Sequence, residues 1–325
     1  MPPVTSLALH LAAGLLLGQT DAGYVRERTS DGNHCLRWPV AAGASSEVTF
    51  VQSAAGDFKV GSGLFDAVSR SEGSWATQAS ACSSLFLREG AHSASRLTGY
   101  SQGGTNENLV LVRTTDCAQA VPLNDPCRAN DTCDNAYDCW DRGAAVLAIT
   151  MLTYDTSGPI VDTDVEVNGA SAPLSLVDAP PCTAGNITPS CVGIDVQNTV
   201  THELGHALGL DHSPDPASTM YASAPLGETS KRTLDPASKQ FLCDVYPPRL
   251  ASRDCFLPDG GPDSGGGTGG GGGGGGPTGG GGPGGPGIAR TASGCGTVDG
   301  TTGLPGALLL LHAALLLALR LPRRR

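Results

Sequence analysis

Three of the seven histidines in this 325-residue chain lie within eleven positions, in the segment THELGHALGLDH at residues 201–212. His202 and His206 are four residues apart, so a helix would place both imidazoles on one face, one turn from each other. Gly209 permits a turn with positive φ, which would bring His212 back toward the same point. Three neutral imidazoles can bind one Zn²⁺ and leave a fourth position open, as in catalytic zinc sites.

Glu203 directly follows the first of these histidines. As a zinc ligand it would fill the open position, so we expect it to accept a proton from the attacking water and pass it to the leaving amine. This chemistry predicts hydrolysis of a peptide bond. The alternative is three solvated or core histidines near a helix end, and the five fixed positions of HExxHxxGxxH on one helical pattern argue against it.

Helices that would hold this segment in place can be read on both sides of its turn. Apolar residues recur at helical spacing behind Asp195, which predicts a helix with Asp195 as its N-cap. A second helix is predicted over residues 235–246, with Asp235 as its N-cap and Pro247 at its end.

Further elements precede them along the chain. A helix is predicted at residues 65–82, and strands at 48–51, 85–87, 108–113, 144–154 and 160–168. This order of elements predicts an α+β fold in which helices back a sheet.

The cysteine count predicts an oxidising environment. Ten of the eleven cysteines precede the glycine-rich segment, and an even set in an exported domain indicates up to five disulfides whose connectivity the spacing leaves open. Residues 114–141 hold four of these cysteines and six aspartates, which predicts a disulfide-stapled surface loop. Calcium binding by some of its carboxylates is the alternative.

Composition divides the chain into four parts. Residues 1–22 contain a short apolar run and predict a signal peptide, with a buried N-terminal helix as the alternative. Residues 23–258 have the composition of one catalytic domain. Residues 259–290 predict a Gly/Pro-rich linker. Residues 291–325 predict a C-terminal sorting signal with a transmembrane segment at 304–319 and an arginine tail, so that the exported body is anchored at the cell surface.

Charge bears on the partners. The net charge is −11, and four of the twenty basic residues fall in the last six positions, so no basic face for nucleic acid is expected. The expected partners are polypeptide substrates and, through the C-terminal segment, a membrane. The protein is expected to act as a monomer.

The segment HELGHALGLDHS, followed by STMY, resembles the metzincin clan of zinc endopeptidases and, within it, the matrixin (matrix metalloproteinase-like) family. Ser213 after the third histidine is the residue that distinguishes matrixins. Met220 matches the Met-turn of the clan and implies a hydrophobic floor beneath one catalytic zinc, while Tyr221 could shape the specificity pocket. The resemblance implies a metzincin-like zincin fold, with a mixed twisted β-sheet, an active-site helix and a C-terminal helix.

The same resemblance implies how a substrate would bind. Residues 144–150 would be an edge strand over the cleft, and a peptide would pair with it through backbone hydrogen bonds. Residues 114–141 would rim the cleft. Bound calcium could involve Asp162 and Asp164, for which ordinary strand polarity is the alternative.

Two features depart from the matrixin pattern. The pro-segment sequence PRCGxPD does not occur, and Cys35 is expected in a disulfide rather than as a thiolate on zinc. The extra histidines that hold the structural zinc of the family are also missing, so only one zinc is expected.

The C-terminal segment has a resemblance of its own. Cys295, the apolar run and the arginine tail resemble the three-part sorting signals of myxobacterial surface proteins, and a plain membrane anchor is the alternative. The function predicted for the whole chain is a zinc endopeptidase of extracellular proteins. A non-catalytic surface adhesion protein on the same scaffold is the competing hypothesis.

Overall fold

The computed structural model of the chain describes residues 23–57, 59–130, 132–255 and 287–296. The predicted signal peptide, most of the predicted linker and the predicted transmembrane segment lie outside these residues. Within them, no helix is both long enough and apolar enough to cross a membrane.

The described residues form ten strands and six α-helices. The strands are β1 (Val25–Arg26), β2 (Ser46–Gln52), β3 (Leu85–Glu89), β4 (Asn108–Arg113), β5 (Val146–Asp155), β6 (Ile160–Asn168), β7 (Leu174–Ser175), β8 (Ile194–Asp195), β9 (Leu210–Asp211) and β10 (Ile288–Gly296). The helices are α1 (Gly63–Cys82), α2 (Cys117–Ala120), α3 (Cys127–Asn130), α4 (Cys133–Tyr137), α5 (Val196–Ala207) and α6 (Pro236–Val245), with a short 3-10 helix at Ser230–Arg232. These bounds confirm the predicted α+β class, and each predicted helix and strand is found within a few residues of its expected limits.

The main sheet is mixed and twisted, with six strands in the order β10-β5-β6-β4-β2-β3. Strands β2, β3, β4 and β6 pair in parallel, whereas β5 runs antiparallel to β6. The outer side of β5 pairs antiparallel with β10. This mixed sheet, its helices and its stapled loops are consistent with the expected metzincin-like fold.

Two sequence predictions need correction at this side of the sheet. Residues 144–150 were expected to form the free edge, but the chain's own β10 covers β5. Residues 288–290 were expected to belong to the linker, but they begin β10. The physical reason is that Ile288 pairs with Asp155 and that Ala289 packs against the main core. These pairings cannot be read from the sequence, because the segment follows a long glycine-rich run.

Two long helices cover one face of the sheet and form the core with it. The inward side of α1 carries Leu64, Val68 and Trp75, all buried. The Trp75 indole also donates a hydrogen bond of 2.9 Å to the carbonyl of Thr201 in α5. This bond joins α1 to α5. Burial of each large apolar side chain stabilises the folded state by about 1.5–3 kcal/mol.

Five disulfides staple the domain and use all ten cysteines that precede the glycine-rich segment. They join Cys35 to Cys255, Cys82 to Cys243, Cys117 to Cys139, Cys127 to Cys133 and Cys182 to Cys191. The predicted number of disulfides and the disulfide role of Cys35 are therefore confirmed. Residues 114–141 are the predicted stapled loop, folded into α2, α3 and α4.

Candidate active site

Helix α5 begins at a side-chain cap and carries the first two histidines of the site. The Asp195 carboxylate accepts a hydrogen bond of 2.7 Å from the backbone N–H of Asn198, as the sequence predicted for an N-cap. His202 and His206 follow on one face of the helix, and both side chains are fully buried. The spacing of four residues thus places the two imidazoles together.

The chain leaves this helix through Gly209, as expected from the sequence. Its φ is +105°, and a Cβ at this position would lie 2.5 Å from the carbonyl oxygen of Leu36. Only glycine fits both the backbone conformation and the space. The following strand, β9, pairs with β1 and delivers His212 to the site.

Two backbone carbonyls orient the rings of the first two histidines. The Nδ1 atom of His202 lies 2.7 Å from the carbonyl oxygen of Thr219, and that of His206 lies 2.8 Å from the carbonyl oxygen of Leu210. A carbonyl oxygen only accepts, so each Nδ1 carries the proton and each Nε2 offers a lone pair. These two Nε2 atoms face each other at 3.2 Å.

His212 completes the group of imidazoles. Its ring centroid lies 4.7 Å from that of His206 and 5.4 Å from that of His202. Its Nε2 atom is buried and has no hydrogen-bond partner among the described residues. One ligand atom from each of the three rings lies within 4.8 Å of the others.

This donor set fits a zinc ion. Two facing lone pairs and an orphaned buried nitrogen are explained by a cation that all three imidazoles ligate, and Zn²⁺ is commonly held this way. Burial is the main cause that lowers the pKa of each of the three rings. It therefore keeps them neutral, the form that ligates a metal.

Glu203 lies on the same helix and is completely buried. Its Oε2 atom accepts a hydrogen bond of 2.8 Å from the Thr150 hydroxyl, and its Oε1 atom accepts one of 3.2 Å from the backbone N–H of Cys295. Burial raises the pKa of this carboxyl to about 7. A carboxyl with such a pKa can take up and release a proton near neutral pH.

Met220 packs against helix α5. Its side chain is buried, and a Cβ at Gly205 would lie 2.3 Å from the Met220 Sδ atom. The Met220 carbonyl also accepts a hydrogen bond of 2.8 Å from the N–H of Ser213, which ties the turn to the residue after His212. The Met220 side chain thus contacts the helix at Gly205, the residue before His206.

Tyr221 directly follows Met220 in this turn. Its ring centroid lies 6.0 Å from Lys231 Nζ, and its backbone bridges to Ser213. Beside Glu203, Cys295 belongs to a cluster of buried apolar side chains with Leu147, Ile194 and Ala224, and Leu226 packs against it.

Two residues that touch Glu203 were not among the site residues predicted from the sequence. Thr150 lies on β5, and no sequence signal distinguishes it from Thr153 on the same strand. Cys295 is free, buried and close to both His202 and Glu203. Its signal was present, because it is the odd cysteine in a chain whose other ten are paired.

The carboxylates considered for calcium serve the fold instead. Asp164 Oδ1 accepts a hydrogen bond of 3.0 Å from the N–H of Leu109, and Oδ2 accepts one from the N–H of Gly99. Asp162 is buried, which raises its pKa to about 6. Neither belongs to a group of potential metal ligands among the described residues.

Comparison with known proteins agrees with the geometry. The sequence model of the family described as Matrixin matches residues 106–246. The chain is also 39% identical over 62 residues to matrilysin from Felis catus, an alignment that covers 19% of this chain and 24% of that protein. The chain thus spans about a quarter of the length of the curated relative that it matches.

Proposed function

We propose that this chain is a zinc-dependent endopeptidase that hydrolyses peptide bonds of extracellular proteins, because residues 106–246 match the Matrixin family. The observation that carries the proposal is the convergence of three neutral imidazoles next to a buried glutamate. A non-catalytic scaffold has no need for a buried carboxylate at this place, since its burial costs free energy.

His202, His206 and His212 would hold one zinc ion through their Nε2 atoms. When bound, zinc supplies Lewis-acid activation of the scissile carbonyl and of water. The carbonyls of Thr219 and Leu210 hold the two helical rings in the orientation that this requires.

Glu203 would manage the protons of the reaction. Its carboxylate accepts a proton from the attacking water and delivers it to the nitrogen of the leaving amine. The Thr150 hydroxyl holds Oε2 by a hydrogen bond of 2.8 Å, which leaves Oε1 directed at the peptide. Thr150 is therefore a positioning residue, whereas Glu203 is the general base.

Substrates would be polypeptides in extended conformation that take the place of β10 beside β5 and pair with β5, as strands do in β-augmentation. The five disulfides support export to an oxidising compartment. We propose that the protein works outside the cell as a monomer, with the apolar run at residues 304–319 as its membrane anchor.

The variant Glu203→Gln tests the proposed function. We expect it to bind zinc in the same amount as the unmodified protein and to cleave a casein-like substrate about 10²- to 10⁴-fold more slowly. Glu107→Gln is the matched control, since Glu107 bonds Ser93 away from the imidazoles. Zinc content is measured by elemental analysis and cleavage by release of labelled peptides. Undiminished cleavage by Glu203→Gln would show that the assigned role is wrong.

A further inference from the structure

Strand β10 lies in the cleft as a peptide held from both sides. Along one side it pairs antiparallel with β5, from Ile288 opposite Asp155 to Gly296 opposite Val146. On the other side, the N–H of Gly296 donates to the carbonyl of Ala222, and the N–H of Ala224 donates to the carbonyl of Gly296, each at 3.0 Å. The segment therefore has the backbone pairing that an extended substrate would make.

One peptide bond of β10 lies at the candidate active site. The N–H of Cys295 donates to Glu203 Oε1 at 3.2 Å, and the backbone of Gly294 interacts with the His212 ring. The nitrogen of the bond thus faces the carboxylate, and Gly294, which supplies its carbonyl group, lies near an imidazole of the metal group. In peptide hydrolysis the nitrogen must receive a proton from the base, so this polarity is the productive one.

The side chains around this bond fit their surroundings closely. The Cys295 side chain is buried and packs in an apolar cluster with Leu147, Ile194 and Ala224. At Gly294, a Cβ would lie 2.2 Å from the carbonyl oxygen of Ala148, so a larger residue would collide with β5. The close contact of Gly294 with β5 favours a glycine before the bond, and the apolar cluster around Cys295 favours a small apolar residue after it.

The Cys295 thiol could instead occupy the metal site. Among the described residues, however, its sulfur groups with the ligand atoms of His202 and Glu203 and not with those of His206 and His212. The thiol therefore lies beside Glu203 and the His202 ring but outside the group of three imidazoles, while the backbone N–H of Cys295 donates to Glu203 Oε1.

We propose that the chain is its own substrate and hydrolyses the bond between Gly294 and Cys295. The oxygen of one water forms a bond to the Gly294 carbonyl carbon, the C–N bond breaks, and the Cys295 nitrogen keeps the electron pair and takes up a proton. The products are a carboxylate at Gly294 and an amino terminus at Cys295. This inference rests on the proposed function, and its consequence is separation of the catalytic body from the predicted anchor at residues 304–319.

The full chain, incubated with zinc, tests the proposal by mass spectrometry of the intact protein and its fragments. We expect one fragment that ends at Gly294 and one that begins at Cys295, and an uncut chain for Glu203→Ala. Gly294→Ala should slow this cut at least about 10-fold, since the added methyl group prevents the segment from seating. Ala292→Ser, at an exposed position of the same strand, should be cut at the normal rate.

A second measurement follows the seating of the segment without catalysis. In the Glu203→Ala chain without metal, the buried Cys295 thiol should react with iodoacetamide at least about 10-fold more slowly than in the same chain carrying Gly294→Ala. Equal reactivity in folded proteins, verified by circular dichroism, would show that β10 does not occupy the cleft and would overturn the proposal.

A fluorogenic peptide separates failure of the inference from failure of the proposed function. Gly294→Ala vacates the cleft, so this chain should cleave the added peptide. If it does so while the unmodified chain stays intact at Gly294–Cys295, self-hydrolysis is wrong and β10 is a stable occupant of the cleft. If neither chain cleaves any peptide with zinc bound, the proposed function itself fails.

Discussion

The single O–H of Thr150 lies within hydrogen-bond distance of two acceptors of Glu203, Oε2 at 2.8 Å and the backbone carbonyl oxygen at 2.9 Å. Thr150 belongs to β5, the strand that pairs with β10, and Glu203 belongs to α5, the helix that carries two of the imidazoles. One side chain therefore couples the strand that would align a peptide to the carboxylate that would act on it.

Replacement of Thr150 by valine should lower kcat about 10- to 100-fold, because a hydrogen bond to a charged group contributes about 1.5–3 kcal/mol. KM and bound zinc should change little, because the backbone pairing of β5 and the imidazoles remain. Thr150→Ser keeps the hydroxyl and should retain most of the activity. Steady-state kinetics of both variants on a fluorogenic peptide check this, and equal losses in valine and serine variants would contradict the positioning role.

Removal of the metal should destabilise the domain. A ligand that binds only the folded state adds about 2.7 kcal/mol at 100 times its Kd, so a chelator should lower Tm and added zinc should restore it. His212→Ala removes the buried Nε2 that has no partner and should abolish most of this zinc-dependent shift. His92→Ala, at an exposed ring beside Phe65, should keep it. Thermal scans with and without zinc measure this Tm shift in both variants.

Local patterns in the sequence were sufficient to predict the imidazole group. The spacing of His202 and His206 needs only a helix, and Gly209 needs only a turn, so neighbouring residues determine the convergence on His212. The helix caps at Asp195 and Asp235 are local for the same reason, and both were found as predicted.

The occupied cleft could not be predicted in this way. Strand β10 pairs with a strand more than one hundred residues earlier, and no local period encodes a pairing at that distance. Its sequence IARTASGCG follows a glycine-rich run and has little apolar alternation, so composition placed part of it in a linker. The disulfide partners were not predictable for the same reason, since they join positions up to 220 residues apart.

Two helical glycines should respond in opposite directions to alanine. At Gly205 the new Cβ would lie 2.3 Å from Met220 Sδ and 3.1 Å from the Trp75 ring, so overpacking should cost about 1–3 kcal/mol. At the exposed Gly73 in α1 nothing lies within 4 Å, so alanine should stabilise the protein by up to about 1 kcal/mol. Denaturant titrations measure both changes. Equal effects at the two sites would contradict the packing of Met220 against α5.

Glu72 is a buried carboxyl with no part in the candidate active site. Neither of its side-chain oxygens has a hydrogen-bond partner among the described residues. Burial, and to a lesser extent the charge of Glu89, raises its pKa from 4.5 to about 8. The folded state therefore holds this proton more tightly than the unfolded chain does.

The contribution of Glu72 to the free energy of unfolding should accordingly fall as pH rises from about 4.5 to about 8. Over this range the folded state still holds the proton that the unfolded chain has released. Glu72→Gln removes the titrating group, so its Tm should exceed that of the unmodified protein at pH 8 and approach it at pH 4.5. Glu47→Gln is the matched control, because Glu47 is exposed and makes only a surface ion pair with Arg88. Thermal unfolding across this pH range measures the difference. A Tm difference between Glu72→Gln and the unmodified protein that stays constant with pH would contradict the raised pKa.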